Sequence, residues 1–265
     1  MFDRQARSFG SRAGLPESVR RAIAVAVREM GRLESGRLLD VGAGTGDVGL
    51  DLLLSGTAYT GIDVSPEMLA VFRERAAAAG ASSPDLVVAD ATAPWPVPDG
   101  SVRAVFGSRS LHWIPASHLG AETVRVLEPN GALLVGRVVR DEAAPREVIR
   151  RYMRKLLREA GHENLRGGGR KREALDECVR RGGRLLPSRV VAEWAVRRTP
   201  RSSVEDWRDK EGLAGISLDR AQKERVLSEV LAFTARTFGN IDAPLEALER
   251  YVLDGVVFGD ARRAP

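Results

Sequence analysis

The chain has 265 residues, 43% of them hydrophobic and 29% charged, with a formal net charge of +5 and one cysteine, Cys178. That apolar content excludes disorder as the whole account, and a single cysteine excludes a disulfide scaffold. No apolar run approaches the roughly 20 residues that a bilayer span needs, and the N-terminus lacks a signal-peptide core, so the expectation is a cytoplasmic protein with no membrane partner. The charge is local. Of 41 basic residues 37 are Arg; residues 1–136 carry 13 basic and 15 acidic residues, whereas Arg137–Arg201 carries 19 and 9.

Taken in order, Pro16–Met30 places Val19, Ile23, Ala26, Val27 and Met30 on one face of an amphipathic helix, with Gly31 as its stop. Arg37–Val41 reads as a short strand running into the glycines of Gly42–Gly46, followed by a helix to about Ser55. Ala58–Asp63 is a second strand, and Ser65 with Pro66 caps a helix ending near Gly80. Leu86–Val88 leads to Asp90, Val102–Gly107 is a fourth strand, Pro115–Leu127 a helix and Gly131–Val139 a fifth strand. Strand–helix units at this spacing predict a parallel sheet covered by helices on both faces. Beyond Arg140 the rhythm changes. Glu142–Ala160 and Lys171–Arg181 read as Arg-rich helices, Val190–Arg197 as a strand, Val204–Leu213 and Asp219–Thr237 as helices, and Glu249–Val257 as a last strand.

The sharpest signal is Leu38-Leu39-Asp40-Val41-Gly42-Ala43-Gly44-Thr45-Gly46. Glycines after a first strand let a backbone approach a ligand, and the helix that follows offers unpaired N–H groups. The G-x-G-x-G spacing differs from the dinucleotide fingerprint, and Asp47 would repel a pyrophosphate. Asp63 and Asp90 close the next two strands, on the crevice side of a doubly wound sheet. There Asp63 would present two oxygens to a vicinal diol, and Asp90 would accept from an exocyclic amine. Each also suits a plain turn or cap.

At these residues the chain resembles the class I S-adenosylmethionine-dependent methyltransferases. LLDVGAGTG is similar to their first motif, GIDVSPEML to the segment after it, VVADATAPWPVPDGSVRAVFGSRSLHWI to the third-to-fourth-strand region, and VRVLEPNGALLV to the fifth strand. The resemblance covers Gly36–Val139, about two fifths of the chain. It implies an α/β fold, a doubly wound, mainly parallel seven-stranded sheet with a helical cap insertion. The expected organisation is a lead-in over 1–35, a cofactor core over 36–140, and the remaining strands plus substrate cap over 141–265 of the same domain. It also implies S-adenosylmethionine as cofactor: Gly42, Gly44 and Gly46 around its methionine moiety, Asp40 at its amino group, Asp63 at its ribose, Asp90 and Ala91 at its adenine, and Ser108 beside the sulfonium. Phe9, in a lead-in similar to that of small-molecule methyltransferases, would cover the cofactor.

His112, four residues past Ser108, is the candidate general base, with packing beneath the cap as the alternative. Trp113 would wall the pocket, and Arg109 would clamp a substrate carboxylate or phosphate or else stand solvated. One cysteine and three scattered histidines form no zinc pattern, so no metal is expected. Arg146, Arg150, Arg154 and Arg158 form a stripe on one helix, either a solvated face or a docking surface for an acidic carrier protein. Nucleic acid is disfavoured for want of a recognisable module. The expected function is methylation of a small molecule, anionic if the Arg excess bears on it, at oxygen or carbon in a biosynthetic pathway. The alternatives are carboxyl methylation of an acid tethered to a carrier protein and a non-catalytic cofactor-binding regulator. RNA methylation ranks below both.

Overall fold

In the computed structural model, which describes residues 15–163, 165, 169–208, 210 and 212–259, the first element is α1 (Glu17–Gly31). Val19, Ile23, Ala26 and Val27 are buried along it as their spacing requires. The stop is Arg32, in the left-handed region at φ 50°. Gly31 stays helical, and a Cβ there would stand 3.1 Å from Ala104. The glycine serves close packing, and the helix ends one residue later than its composition suggested.

The alternation of strand and helix then follows: β1 (Arg37–Val41), α2 (Gly49–Leu54), β2 (Ala58–Asp63), α3 (Pro66–Ala78), β3 (Asp85–Val88), β4 (Val102–Ser108), a 3-10 turn (Leu111–Trp113), α4 (Ala116–Val126) and β5 (Leu127–Arg140). Ser65 caps α3 by accepting from the Met68 amide at 3.2 Å, with Pro66 at the first helical position. Strands β1 and β2, β2 and β3, β1 and β4, and β4 and β5 pair in parallel. Leu38, Leu39, Val41, Ile62, Val105, Phe106, Leu133 and Leu134 are all buried, as continuous apolar strands covered on both faces must be. At about 1.5–3 kcal/mol for each large side chain removed from water, this sheet is the main stabilising element.

The later elements are α5 (Pro145–Glu159), α6 (Gly169–Arg180), β6 (Gly183–Leu185), β7 (Arg189–Arg198), α7 (Pro200–Arg208), β8 (Gly212–Leu213), β9 (Ile216–Ser217), α8 (Arg220–Phe238) and β10 (Leu245–Phe258). The main sheet runs β3-β2-β1-β4-β5-β10-β6, with β7 as an eighth strand on β10; β8 and β9 form a separate ribbon. Strands β10 and β6 are antiparallel. The fold is thus a doubly wound, mainly parallel α/β sheet. Three local expectations change, the first being the fifth strand, expected over Gly131–Val139, which runs from Leu127 to Arg140. The helix expected over Val204–Leu213 spans Pro200–Arg208 instead, because Leu213 pairs in the ribbon with Ile216. The last strand starts at Leu245, four residues early, because Leu245–Arg250 alternates half-buried and exposed residues, a two-sided pattern easily missed. Among the described residues, no helix is long and apolar enough to cross a membrane.

The chain divides into two compact units, one formed by residues up to 137, 169–192 and from 251 onward, the other by 138–168 and 193–250. The second has its own core, in which Ile149, Met153 and Leu157 of α5 join Val204 and Trp207 of α7 and Leu227 and Val230 of α8. Tyr152 and Phe233 stack there with ring centroids 3.8 Å apart. Much of the Arg-rich charge is held in ion pairs within one unit or the other. Arg137 pairs with Asp254, Arg140 with Glu249, Arg181 with Glu177, and both Arg146 and Arg198 with Asp206, at 2.5–3.1 Å. On the helical stripe, Arg150 pairs with Glu147 and Arg154 donates to the Leu165 carbonyl. Part of the excess along the sequence is thus met by carboxylates brought in from elsewhere in the chain, Asp254, Glu249 and Asp206.

Candidate active site

The site is built on the carboxyl ends of β1, β2, β3 and β4. Gly42, Gly44 and Gly46 all have positive φ, at 80°, 54° and 73°. The Gly42 and Ala43 amides donate to the Ile62 carbonyl, which ties the loop to β2. The three glycines serve different ends. A Cβ at Gly42 would stand 2.3 Å from that of Ser110, and one at Gly46 would stand 2.2 Å from the Phe72 ring, whereas nothing lies within 4 Å of a Cβ at Gly44. Packing requires the first and third, and the middle one leaves bare backbone at the cleft.

Asp40 is 4% exposed, and its Oδ2 accepts from the Tyr59 hydroxyl at 2.7 Å. Burial pushes the Asp40 carboxyl up to about 7, with a smaller push from the charge of Asp63, against the Tyr59 hydrogen bond that lowers it. Burial and the same carboxylates hold the Tyr59 phenol well above its ordinary range. Asp63 binds the loop to its own strand end: Oδ2 accepts from the Gly44 amide and Oδ1 from the Ser65 amide, each at 2.9 Å. Asp90 is exposed, and its Oδ1 accepts from both the amide and the hydroxyl of Thr92 at 2.8 Å. Those bonds hold its carboxyl below the usual range.

From β4, Ser108 accepts a hydrogen bond from Tyr251 of β10 at 2.8 Å. Arg109 adopts φ 63° and pairs with Asp47 at 3.1 Å, so its guanidinium meets the carboxylate that sequence reasoning had set against phosphates. Trp113 is 47% exposed, and its ring lies 5.1 Å from that of His112. His118 bonds the Ala93 carbonyl at 2.9 Å, which ties α4 to the segment after Asp90.

These elements enclose a cleft of about 370 Å³ within the first unit. Of the residues singled out in the sequence, Asp40, Gly42, Gly44, Asp63, Asp90, Ala91, Ser108, Arg109 and Trp113 line it. Gly46 stands behind it against Phe72, and His112 is not among the lining residues. Phe9 lies outside the described residues. Sequence reasoning missed Tyr59 and Tyr251, which support Asp40 and Ser108 from positions outside the motifs. In the register of β1 and β2, Asp40 pairs with Gly61 and Leu38 with Tyr59, so the tyrosine two residues before the glycine reaches the Asp40 carboxyl.

The lining carries four carboxyl groups, Asp40, Asp47, Asp63 and Asp90, against one guanidinium, Arg109. Such a donor set suits a ligand with cationic groups, a diol and an amine, and disfavours a pyrophosphate. Residues 38–131 match the family described as a methyltransferase domain. Those residues, about a third of the chain, carry the methyltransferase domain that the motifs of the glycine loop and strand ends resemble. Over 127 residues the chain is 40% identical to the ubiquinone/menaquinone biosynthesis C-methyltransferase UbiE of Methylobacterium nodulans, covering 46% of this chain and 49% of that protein. Over 121 residues it is 40% identical to the demethylmenaquinone methyltransferase of Thermus thermophilus, covering 44% and 51%. The chain thus spans about half the length of the curated relatives it matches. The methyltransferase-domain fold is shared with the [4+2]-cyclase SpnF at TM-score 0.55 and 22% identity, over 94% of this chain and 83% of that one.

The cleft fits the cofactor of such a domain. Gly44 leaves its backbone open, Asp40 is a buried carboxyl facing the lining, and Asp63 stands at the second strand end with its carboxylate oriented by two amides.

Proposed function

We propose that this chain transfers a methyl group from S-adenosylmethionine to a small-molecule acceptor, at oxygen or carbon, in a biosynthetic pathway. The observation that carries the proposal is the acid-rich cleft over a bare glycine backbone. When bound, the cofactor supplies a methyl carbon activated by its sulfonium. Asp40 holds the amino group, Asp63 accepts from the ribose hydroxyls, and Asp90 with Ala91 meets the adenine edge. Ser108 borders the sulfonium with its backbone, Arg109 and Trp113 face the acceptor, and Phe9, outside the described residues, is given the covering role by the resemblance alone. Transfer of this kind needs alignment more than proton traffic, so positioning supplies much of the rate. Likeness to the Methylobacterium C-methyltransferase supports carbon as one of the two acceptor atoms.

The test is incubation with methyl-labelled S-adenosylmethionine and a panel of hydroquinones, catechols and carboxylic acids. Label is expected on a small molecule. A second reading, a cofactor-binding protein without methyl transfer, is motivated by the fold shared with a cyclase. Firm binding of S-adenosylhomocysteine with no labelled product across the panel would favour it.

Turnover on a small acceptor is expected to change less than about twofold between about 0.05 and 0.5 M salt, because charges beyond a Debye length are screened and a small acceptor needs no contact with the stripe, two of whose arginines, Arg146 and Arg150, are held in ion pairs. A steep fall would restore the carrier-protein reading. His112→Ala is expected to lower turnover with cofactor affinity intact, because His112 packs beside the lining Trp113. An unchanged pH profile in that variant places its role in packing; loss of the acid limb makes it the base.

A further inference from the structure

The polar pair between β4 and β10 has features that fold stability alone does not explain. Ser108 is the last residue of β4 and lines the cleft. Tyr251 is wholly buried, and its hydroxyl lies 2.8 Å from Ser108 Oγ. Space for that hydroxyl is kept by Gly136 of β5, where a Cβ would stand 1.8 Å from the phenolic oxygen. A phenol is the better donor of the two, so Tyr251 gives its hydrogen and Ser108 receives it. Ser108 has one proton of its own, and no other hydrogen bond of its side chain is formed among the described residues. A half-buried hydroxyl whose lone pair is taken from behind directs its proton forward, and donation into its oxygen strengthens it as a donor.

We infer that Tyr251 is a positioning residue which, through Ser108, aims a hydroxyl proton at an oxygen lone pair of the acceptor molecule. The inference rests on the cleft being a methyl-transfer site and extends that reading to the acceptor, which must carry a carbonyl, phenolate, carboxylate or similar oxygen beside the atom that reacts. No bond is made or broken by the pair; it fixes the acceptor's angle.

The probe is 1,4-naphthohydroquinone, with naphthalene as its oxygen-free counterpart, titrated by calorimetry into protein saturated with S-adenosylhomocysteine. The wild-type protein is expected to bind the hydroquinone about 5–10-fold more tightly than naphthalene, the worth of one well-placed hydrogen bond. Tyr251→Phe and Ser108→Ala should each lose about 5-fold on the hydroquinone and nothing on naphthalene. The double variant should lose no more than the worse single one, and Ser108→Thr should retain the preference. S-adenosylhomocysteine affinity should stay within about twofold in Tyr251→Phe, because Tyr251 does not line the cleft. Equal affinity for the two probes in the wild type, or additive losses in the double variant, would overturn the inference. Failure of the wild-type protein to bind S-adenosylhomocysteine would instead overturn the methyltransferase reading. If Tyr251→Phe merely loosens the fold, naphthalene affinity and thermal midpoint fall together, and that too counts against a positioning role.

Discussion

Asp63→Ala is expected to weaken S-adenosylhomocysteine binding by about 100-fold or more, measured by calorimetry on folded protein. Two losses combine. A carboxylate bonded to a diol contributes about 1.5–3 kcal/mol for a charged hydrogen bond. The same carboxylate also holds the amides of Gly44 and Ser65, so its removal frees the loop that must lie against the ligand. Asp63→Asn separates the two. It keeps one acceptor oxygen but turns an amide NH₂ toward either Gly44 or Ser65, so it should fall between wild type and alanine. Unchanged affinity in Asp63→Ala would remove the ribose assignment.

Asp40 produces the second large effect, and it depends on pH. Its carboxyl titrates near 7 because burial opposes the charge, while Tyr59 hydrogen-bonds to it and Asp63 repels it. A carboxyl whose folded value lies above its unfolded value binds its proton more tightly in the folded chain. Its stabilising contribution is therefore complete below about pH 4 and is lost progressively as pH rises to about 7. The loss from this residue is on the order of 4 kcal/mol. The ligand-free protein should thus melt at a lower temperature at pH 8 than at pH 5.5, and Asp40→Asn should flatten that slope and raise the midpoint at pH 8. Binding an ammonium beside Asp40 favours the charged form, so cofactor binding near pH 7 should release a proton. That release appears as a dependence of the calorimetric enthalpy on the ionisation enthalpy of the buffer. Asp40→Asn should abolish it and bind more weakly above pH 7. An equal proton release in wild type and Asp40→Asn would show that another group titrates.

The readable part of this molecule is the part in which one short segment both folds and acts. Asp40, the glycine loop and Asp63 lie within 24 residues, and each strand ends where its apolar run ends. Ser65-Pro66 was legible as a helix start because a cap needs only its neighbours. Arg109 was less so. Its place in the loop was clear, but its pairing with Asp47 joins residues 62 apart. The stripe on α5 was legible only in part for the same reason: helical spacing shows which arginines share a face and says nothing of Asp206, sixty residues from Arg146.

By itself, then, the sequence determined the strand–helix rhythm, the glycine loop and the acids at the strand ends, all of which depend on local periodicity and on backbone preference. Tertiary structure alone decided which glycines serve packing and which leaves backbone bare, that His112 stands off the cleft lining, and that much of the arginine excess is held in ion pairs. It also decided that Tyr251, 143 residues from Ser108, supports that hydroxyl. Those outcomes depend on which distant groups share a few ångströms of low-dielectric space, and no pattern along a single segment encodes that.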